Sequence, residues 1–256
     1  MQKMNSGKEN NSKNKEITFG IRPVIEAIKA GNEIEKLLIQ KDVHGGLIQE
    51  LLKLAKDYKI PLSQVPAEKL NSITRKNHQG AIAFVSPIVY ASLDNIISDV
   101  FQSGKTPLLL ILDRITDVRN FGALARTAEC LGVQAIIIPS RGSALITSDA
   151  IKTSAGALNF IPVCREENLK NTITYLKESG IQIIACTEKA EKNLYEADFT
   201  VPAAIIMGSE EDGISPEYLK RSDEKVKIPM SGKIESLNVS VAAGMILYEA
   251  VRQRKL

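Results

Sequence analysis

Five short apolar runs follow one another through the second half of this chain: Leu108–Leu112, Ala135–Ile138, Gln182–Ala185, Ala203–Met207 and Val226–Ile228. Stretches with helical spacing separate most of them, over 121–131, 168–179, 216–221 and 239–252. A strand that alternates apolar and polar residues has one wet face, whereas an unbroken apolar run is buried on both. Such runs alternating with helices predict an α/β fold with a mostly parallel sheet covered on both sides. No internal repeat or heptad competes with that reading. In an open parallel sheet, ligands sit beyond the carboxyl ends of the strands. The segments just after the runs are therefore where chemistry is expected.

A smaller α/β region precedes this one, over 16–87. Ile21–Ala30 reads as a helix and Lys36–Gln40 as a strand. Leu47, Leu51, Leu54, Ala55 and Tyr58 recur at helical spacing, and Pro61 ends that helix. Ala81–Val85 reads as another strand. About seventy residues are enough for a small independent domain. Residues 1–15, rich in Asn, Lys and Ser, read as a disordered tail. Residues 88–106 read as a linker carrying one helix, Leu93–Phe101, and 107–256 as the main domain.

Composition narrows the function classes. With 44% hydrophobic residues the chain has material for a real core, so metal or disulfide staples are not needed. The three cysteines, Cys130, Cys164 and Cys186, are widely spaced and form no CxxC pair. That speaks against a disulfide framework and a zinc site, and for a reducing, cytoplasmic setting. No apolar run approaches the ~20 residues of a membrane span, and no secretory signal is visible. The net charge is +3, and the tail, with Lys3, Lys8, Lys13 and Lys15 against Glu9, accounts for all of it. Any nucleic-acid face must be local. The candidate is 114–165, with Arg114, Arg119, Arg126, Arg141, Lys152 and Arg165; scattered surface charge explains the same residues equally well.

Three post-strand segments stand out. After the first run comes Leu112-Asp113-Arg114-Ile115-Thr116-Asp117-Val118-Arg119-Asn120-Phe121-Gly122-Ala123-Leu124-Ala125-Arg126. Asn120 is of the type that caps a helix, and Arg126 lies off the expected buried stripe of Leu124, Ala128 and Leu131. After the fourth run comes Gly208-Ser209-Glu210-Glu211-Asp212-Gly213-Ile214-Ser215-Pro216. Its glycines permit unusual backbone or close approach, and Ser215-Pro216 is a helix start. The acids lack EF-hand spacing, and no GxGxxG or phosphate loop is present. After the fifth run comes Ile228-Pro229-Met230-Ser231-Gly232-Lys233-Ile234-Glu235-Ser236-Leu237-Asn238-Val239. It leads into a helix buried along Val239, Ala243, Ile246 and Ala250. Taken singly, each reads as a capped helix or a solvated turn.

Taken together and in this order, LDRITDVRNFGALARTAECLG, IIMGSEEDG and IPMSGKIESLNVSVAAGMILYEAVRQ resemble the three consecutive motifs of the SpoU/TrmH RNA ribose methyltransferases. GIRPVIEAI and NHQGAIAFV resemble the small RNA-binding domain fused to many members. The resemblance implies a SPOUT-type α/β domain with a deep trefoil knot, although knots are rare exceptions among folds. It implies S-adenosylmethionine as cofactor, RNA as partner and a homodimer formed through the knotted domain. Backbone around Gly208, Ile228 and Leu237 would hold the adenosine, with Ser209, Met230 and Ser236 around it.

By motif position, the resemblance makes Arg126 the group that helps the ribose hydroxyl lose its proton, arranged by Asn120 and Glu210 and supported by Ser236 and Asn238. A guanidinium normally stays charged. Arg126 therefore either accepts the proton or fixes phosphate and stabilises a developing alkoxide. No metal is implied, since the cofactor is already an activated donor. The chain departs from close relatives at Glu211-Asp212, where Gly and Glu are common, which places extra negative charge there. His78 is read as structural or RNA-contacting, and His44 as surface. The expected substrate is a guanosine ribose of 23S ribosomal RNA. The alternatives are the same reaction on transfer RNA, and a catalytically silent RNA-binding or assembly protein. A Rossmann methyltransferase is disfavoured, because no glycine-rich loop follows the first strand of either domain.

Overall fold

The computed structural model describes residues 17–234 and 236–255, so the expected tail over 1–15 lies outside it. Two compact units are present. One holds the described residues up to Val89 together with Ile146–Ser148; the other holds Tyr90–Leu145 and the chain from Asp149 onward.

The first unit contains β1 (Ile17–Phe19), α1 (Ile21–Lys29), β2 (Ile34–Gln40), α2 (Gly46–Asp57), β3 (Leu62–Val65), α3 (Ala67–Ile73) and β4 (Ala81–Val85). Its sheet runs β1-β4-β2-β3, antiparallel except between β2 and β3. The period-2 rule of a strand explains its two cores. Leu37, Ile39, Ala81 and Ala83 pack with Val24, Ile28 and Leu51, whereas Leu38 and Ile82 point the other way and pack with Leu70. The expected helices and two strands are present, with β2 starting at Ile34, two residues early. A bulge between Ile34 and Lys36 lets the polar start of the strand pair. β1, β3 and α3 went unread because they are short and bury little. His78 is buried and structural. The Gly80 amide donates to its Nδ1 at 3.0 Å while Nε2 faces Asn71 Oδ1 at 2.9 Å, so one neutral tautomer satisfies both contacts.

The second unit contains α4 (Leu93–Gln102), β5 (Leu108–Leu112), α5 (Val118–Cys130), β6 (Ala135–Pro139), α6 (Ser148–Thr153), β7 (Val163–Glu166), α7 (Leu169–Glu178), β8 (Gln182–Cys186), β9 (Lys192–Asn193), β10 (Ala203–Met207), α8 (Pro216–Arg221), β11 (Glu224–Lys227) and α9 (Val239–Lys255). A 3-10 turn at Ala157–Asn159 precedes β7. The seven strands run β7-β6-β5-β10-β8-β11-β9, every neighbour parallel. β10 is central and buried throughout. On one face Leu109, Ile111, Ile137 and Ile206 meet residues of α4 and α7, including Leu93, Ile97 and Ile173. The expected linker over 88–106 thus contains a helix that enters this core. The alternate residues Leu108, Leu110 and Ile136 are equally buried, as a sheet covered on both faces requires. Each fully buried Leu or Ile of this kind contributes about 2 kcal/mol of transfer free energy.

Two local expectations need correction. The cap of α5 is Asp117, whose Oδ1 accepts the Asn120 amide at 2.8 Å; Asn120 lies inside the first turn and leaves its side chain free for other work. β11 ends at Lys227, not Ile228, since Pro229 prevents the ladder from continuing.

The far end of α9 is tied down by Arg254. Its Nε donates to Phe199 O, Nη1 to Thr106 O, and Nη2 to Pro107 O and Val201 O, all within 2.9 Å. Gln253 adds bonds to the Phe199 amide and the Ala197 carbonyl. No helix among the described residues is long and apolar enough to cross a membrane.

Candidate active site

The carboxyl ends of β8, β10 and β11 open on a cavity of about 320 Å3, closed on another side by the start of α9. Apolar walls come from Met207, Val226, Leu237, Val239 and Ile246. The strand ends add backbone N–H and C=O groups, the donors and acceptors that an adenine edge needs. Gly208, Ser209, Ile228, Met230, Ser236 and Leu237, the six expected cofactor residues, all line it. Carboxylates outnumber cations in the lining, with Glu188, Glu210, Glu211 and Asp212 against Lys189 and Lys227. A slot with both apolar and polar walls and net negative charge fits an adenosyl group bearing a positive sulfonium.

Gly208 is there for closeness. A β-carbon on it would overlap the backbone of Gly213 and Ile214, because the turn from Ser209 to Gly213 folds straight back on it. The Gly213 amide donates to Ser209 O at 3.0 Å and the Asp212 amide to Ser209 Oγ at 3.1 Å. Gly213 itself has φ 67, a left-handed value that favours glycine.

This turn presents Glu210, and Glu210 joins the three motifs. Asn238 Nδ2 donates to Glu210 Oε1 at 2.7 Å and to Asn120 Oδ1 at 3.0 Å. Asn238 Oδ1 in turn accepts from the Ser240 amide at 3.0 Å and the Ser240 hydroxyl at 2.6 Å. Its amide orientation is thereby fixed from both sides, and it caps α9. The Glu210 carboxylate lies at that helix's amino end, where the backbone dipole favours negative charge. Residues 120, 210 and 238, widely separated in sequence, become one hydrogen-bonded chain.

Arg126 stands apart. It is exposed, does not line the cavity, and makes no hydrogen bond or ion pair with any described residue. The two sides of α5 explain this. Gly244 of α9 lies against Thr127, on the side of Asn120, whereas Gly122 is pressed against Thr153 and the Ser154 amide. One turn beyond Gly122, Arg126 follows that second side. Ser236 lines the cavity but is exposed, and the structure records no bond from it to the Asn120–Asn238–Glu210 chain. The expected basic stretch is dispersed as well. Arg119, Arg126, Arg141 and Lys152 are exposed, Arg114 turns inward, and Arg165 lies over the Tyr90 ring at 4.1 Å.

Two groups of residues were missed by the sequence reading. The Cys186-Thr187-Glu188-Lys189 loop forms one wall; it follows the carboxyl end of β8, so the strand-end rule could have found it. Part of Cys186 faces the cavity, but burial pushes its thiol up to about 12. It stays protonated near neutrality and is a poor nucleophile. The second group is Asp113, almost wholly buried, which accepts from the Ser215 amide and hydroxyl, both at 2.7 Å, and from Arg114. That hydrogen bond pushes the Arg114 guanidinium above its already high ordinary pKa.

Known proteins resemble this chain along most of its length. Residues 107–248 match the SpoU rRNA Methylase family, and residues 17–91 match the RNA 2′-O ribose methyltransferase substrate binding family. A TrmH family tRNA/rRNA methyltransferase of Staphylococcus saprophyticus is 39% identical over 238 residues, covering 93% of this chain and 96% of its own. The TrmH family tRNA/rRNA methyltransferase YacO of Bacillus subtilis is 35% identical over 243 residues, covering 95% and 98%. Among solved structures, the SpoU methyltransferase AviRb of Streptomyces viridochromogenes, crystallised with AdoMet, superposes with a TM-score of 0.60 at 24% identity. The match covers 97% of this chain and 95% of that one, and at that identity it speaks to the fold.

Proposed function

The chain belongs to the SpoU rRNA Methylase family, and from that premise we propose that it methylates the 2′-oxygen of a guanosine in 23S ribosomal RNA, with S-adenosylmethionine in the cavity beneath Glu210. The general activity, 2′-O-methylation of RNA ribose, is that of the family. The observation that carries the site assignment is the Asn120–Asn238–Glu210 chain at the cavity rim. The substrate-binding match over 17–91 supports RNA as the partner, and the SpoU rRNA Methylase match over 107–248 favours ribosomal RNA.

When bound, the cofactor would supply an activated methyl group on a positively charged sulfur, so that the ribose 2′-oxygen needs only to lose its proton to accept it. Backbone at Gly208, Ile228 and Leu237 would hold the adenosine, and Met230, Ser209 and Ser236 would surround it. Glu210 fixes Asn238 and adds negative charge to the cavity lining, which would suit a positively charged sulfonium. Arg126 meets the incoming RNA from outside the cavity, either taking the proton or holding phosphate and steadying the alkoxide.

A homodimer fits the surface of α9. Val241, Met245 and Tyr248 are exposed on one stripe of the helix, an apolar face suited to a second copy. The family's knotted C-terminal segment is part of the same reading. Residues 16–87 would select the RNA, and a cytoplasmic location follows from the substrate.

The test is transfer of labelled methyl groups from S-adenosylmethionine to separated RNAs of a strain lacking the gene, followed by nuclease mapping. A 2′-O-methylguanosine in 23S RNA is expected. Label only in transfer RNA would move the target and keep the chemistry. Tight cofactor binding with no label on any RNA or assembling subunit would overturn the reading.

A further inference from the structure

Arg114 occupies a backbone conformation that its side chain disfavours. Its φ is 58, in the left-handed region where an L-residue's β-carbon crowds the backbone and glycine does not. Strain of this kind persists only where the surroundings over-determine it. Here they do. Nε donates to Asp113 Oδ1 at 3.1 Å and Nη2 to Asp113 Oδ2 at 3.3 Å. Nη2 also donates to the Gly213 carbonyl at 3.1 Å, and Nη1 to Asp212 Oδ2 at 3.0 Å. The side-chain stem passes within 3.8 Å of the position a β-carbon would take on Gly142.

These bonds reach across to the turn that builds the cavity. Asp113 holds Ser215 by its amide and its hydroxyl, and Arg114 holds Asp212 and Gly213. That is the outer limb of the turn whose inner limb is Gly208, Ser209 and Glu210. The two limbs touch so closely at Gly208 that no β-carbon fits between them. A shift of residues 212–215 must therefore move Gly208 and Glu210 as well. The exposed half of the network, Arg114 to Asp212, is a surface ion pair of little strength. The buried carboxylate of Asp113 and the Gly213 carbonyl do the holding.

We propose that Arg114, anchored on Asp113, is a positioning residue that keeps the 208–215 turn in its cofactor-binding form. The proposal rests on the reading of the cavity as the cofactor site. It assigns Arg114 to cofactor affinity and not to the RNA face in which its charge first placed it.

Arg114→Gly separates the possibilities, because glycine relieves the backbone strain while removing the clamp. Titration calorimetry of the full chain with S-adenosylmethionine should show Kd raised about tenfold with one site per chain retained. The melting temperature should be unchanged or higher. Deuterium exchange at the amides of 212–215, measured without cofactor, should accelerate. Arg114→Lys, which keeps the charge without the fork, should lie between the two. A Kd within about twofold of wild type with unchanged exchange would overturn the proposal. So would a falling site count with a lower melting temperature, since that reports damage to the fold and not to the turn. Wild-type protein that binds no S-adenosylmethionine would sink the reading of the cavity, while the exchange measurement would still decide whether Arg114 holds the turn.

Discussion

The two sides of helix α5 are built on opposite principles. On one, Asn120 is locked to Asn238, which is locked to Glu210 and Ser240, and the next layer is the cavity. On the other, Arg126 stands exposed with no partner among the described residues. A site that binds a small cofactor gains from being rigid in advance, because ordering costs are met during folding and not at binding. A group that must meet RNA gains nothing from a partner it would have to leave. On the proposed function, the contrast teaches that the cofactor side is finished in the free protein, whereas the RNA side would be completed by the substrate.

The sharpest way to break this comparison is Arg126→Ala. Methyl transfer should fall by about 10²–10³-fold, as when one transition-state donor is removed, while cofactor Kd by calorimetry stays within about twofold. Near-normal turnover would remove Arg126 from the chemistry. Gly208→Ala attacks the other side. Its β-carbon forces the turn apart, so cofactor affinity should fall by at least about tenfold and stability by about 1–3 kcal/mol. RNA affinity, read by filter binding, should survive. Unchanged cofactor affinity would mean that the turn is not preformed.

Two smaller tests ask how far the rigidity extends. Arg254→Ala removes four hydrogen bonds to backbone carbonyls near the far end of α9, of which, among the described residues, only Pro107 O keeps another partner, the Ala203 amide, and should cost about 2 kcal/mol in denaturant melts. If cofactor Kd rises too, the pinning of Asn238 is a property of the whole helix and not of its first turn. The last test is pH. Hydrogen bonding from Arg252 holds the Glu249 carboxyl down at about 2, from an ordinary 4.5. A depressed carboxyl stabilises the fold above the unfolded value, and that contribution fades as pH falls from about 4.5 towards about 2. The melting-temperature gap between wild type and Glu249→Gln should close across that window; a gap that persists at the acid end would assign the effect elsewhere.

Legibility followed burial and distance. Leu108–Leu112 and Ala203–Met207 were readable to the residue because both faces of those strands are covered. β7, with Val163 and Cys164 buried before a polar Arg165-Glu166, gave no clear period, and neither did the two-residue β9. Asp117 was overlooked as a cap in favour of Asn120, since both residue types cap and only geometry separates them. The Asp113–Ser215 bond spans 102 positions, and no local spacing rule reaches that far. The family motifs brought Asn120, Glu210 and Asn238 to attention, but only coordinates show which atoms meet.

The central position of β10 has a consequence for how this protein is made. β10 pairs with β5 from Ala203 against Leu108 onward, strands ninety-five positions apart. Until that distant segment arrives, β5 and β6, both strongly apolar, have no neighbour on that edge. Pairings of such long sequence separation close slowly, because the entropy of a large loop is lost before any contact repays it. The second unit should therefore reach its native state later than the first, passing through a state with a sticky, half-built sheet. Chaperone demand would fall on β5 and β6, the two strands left waiting.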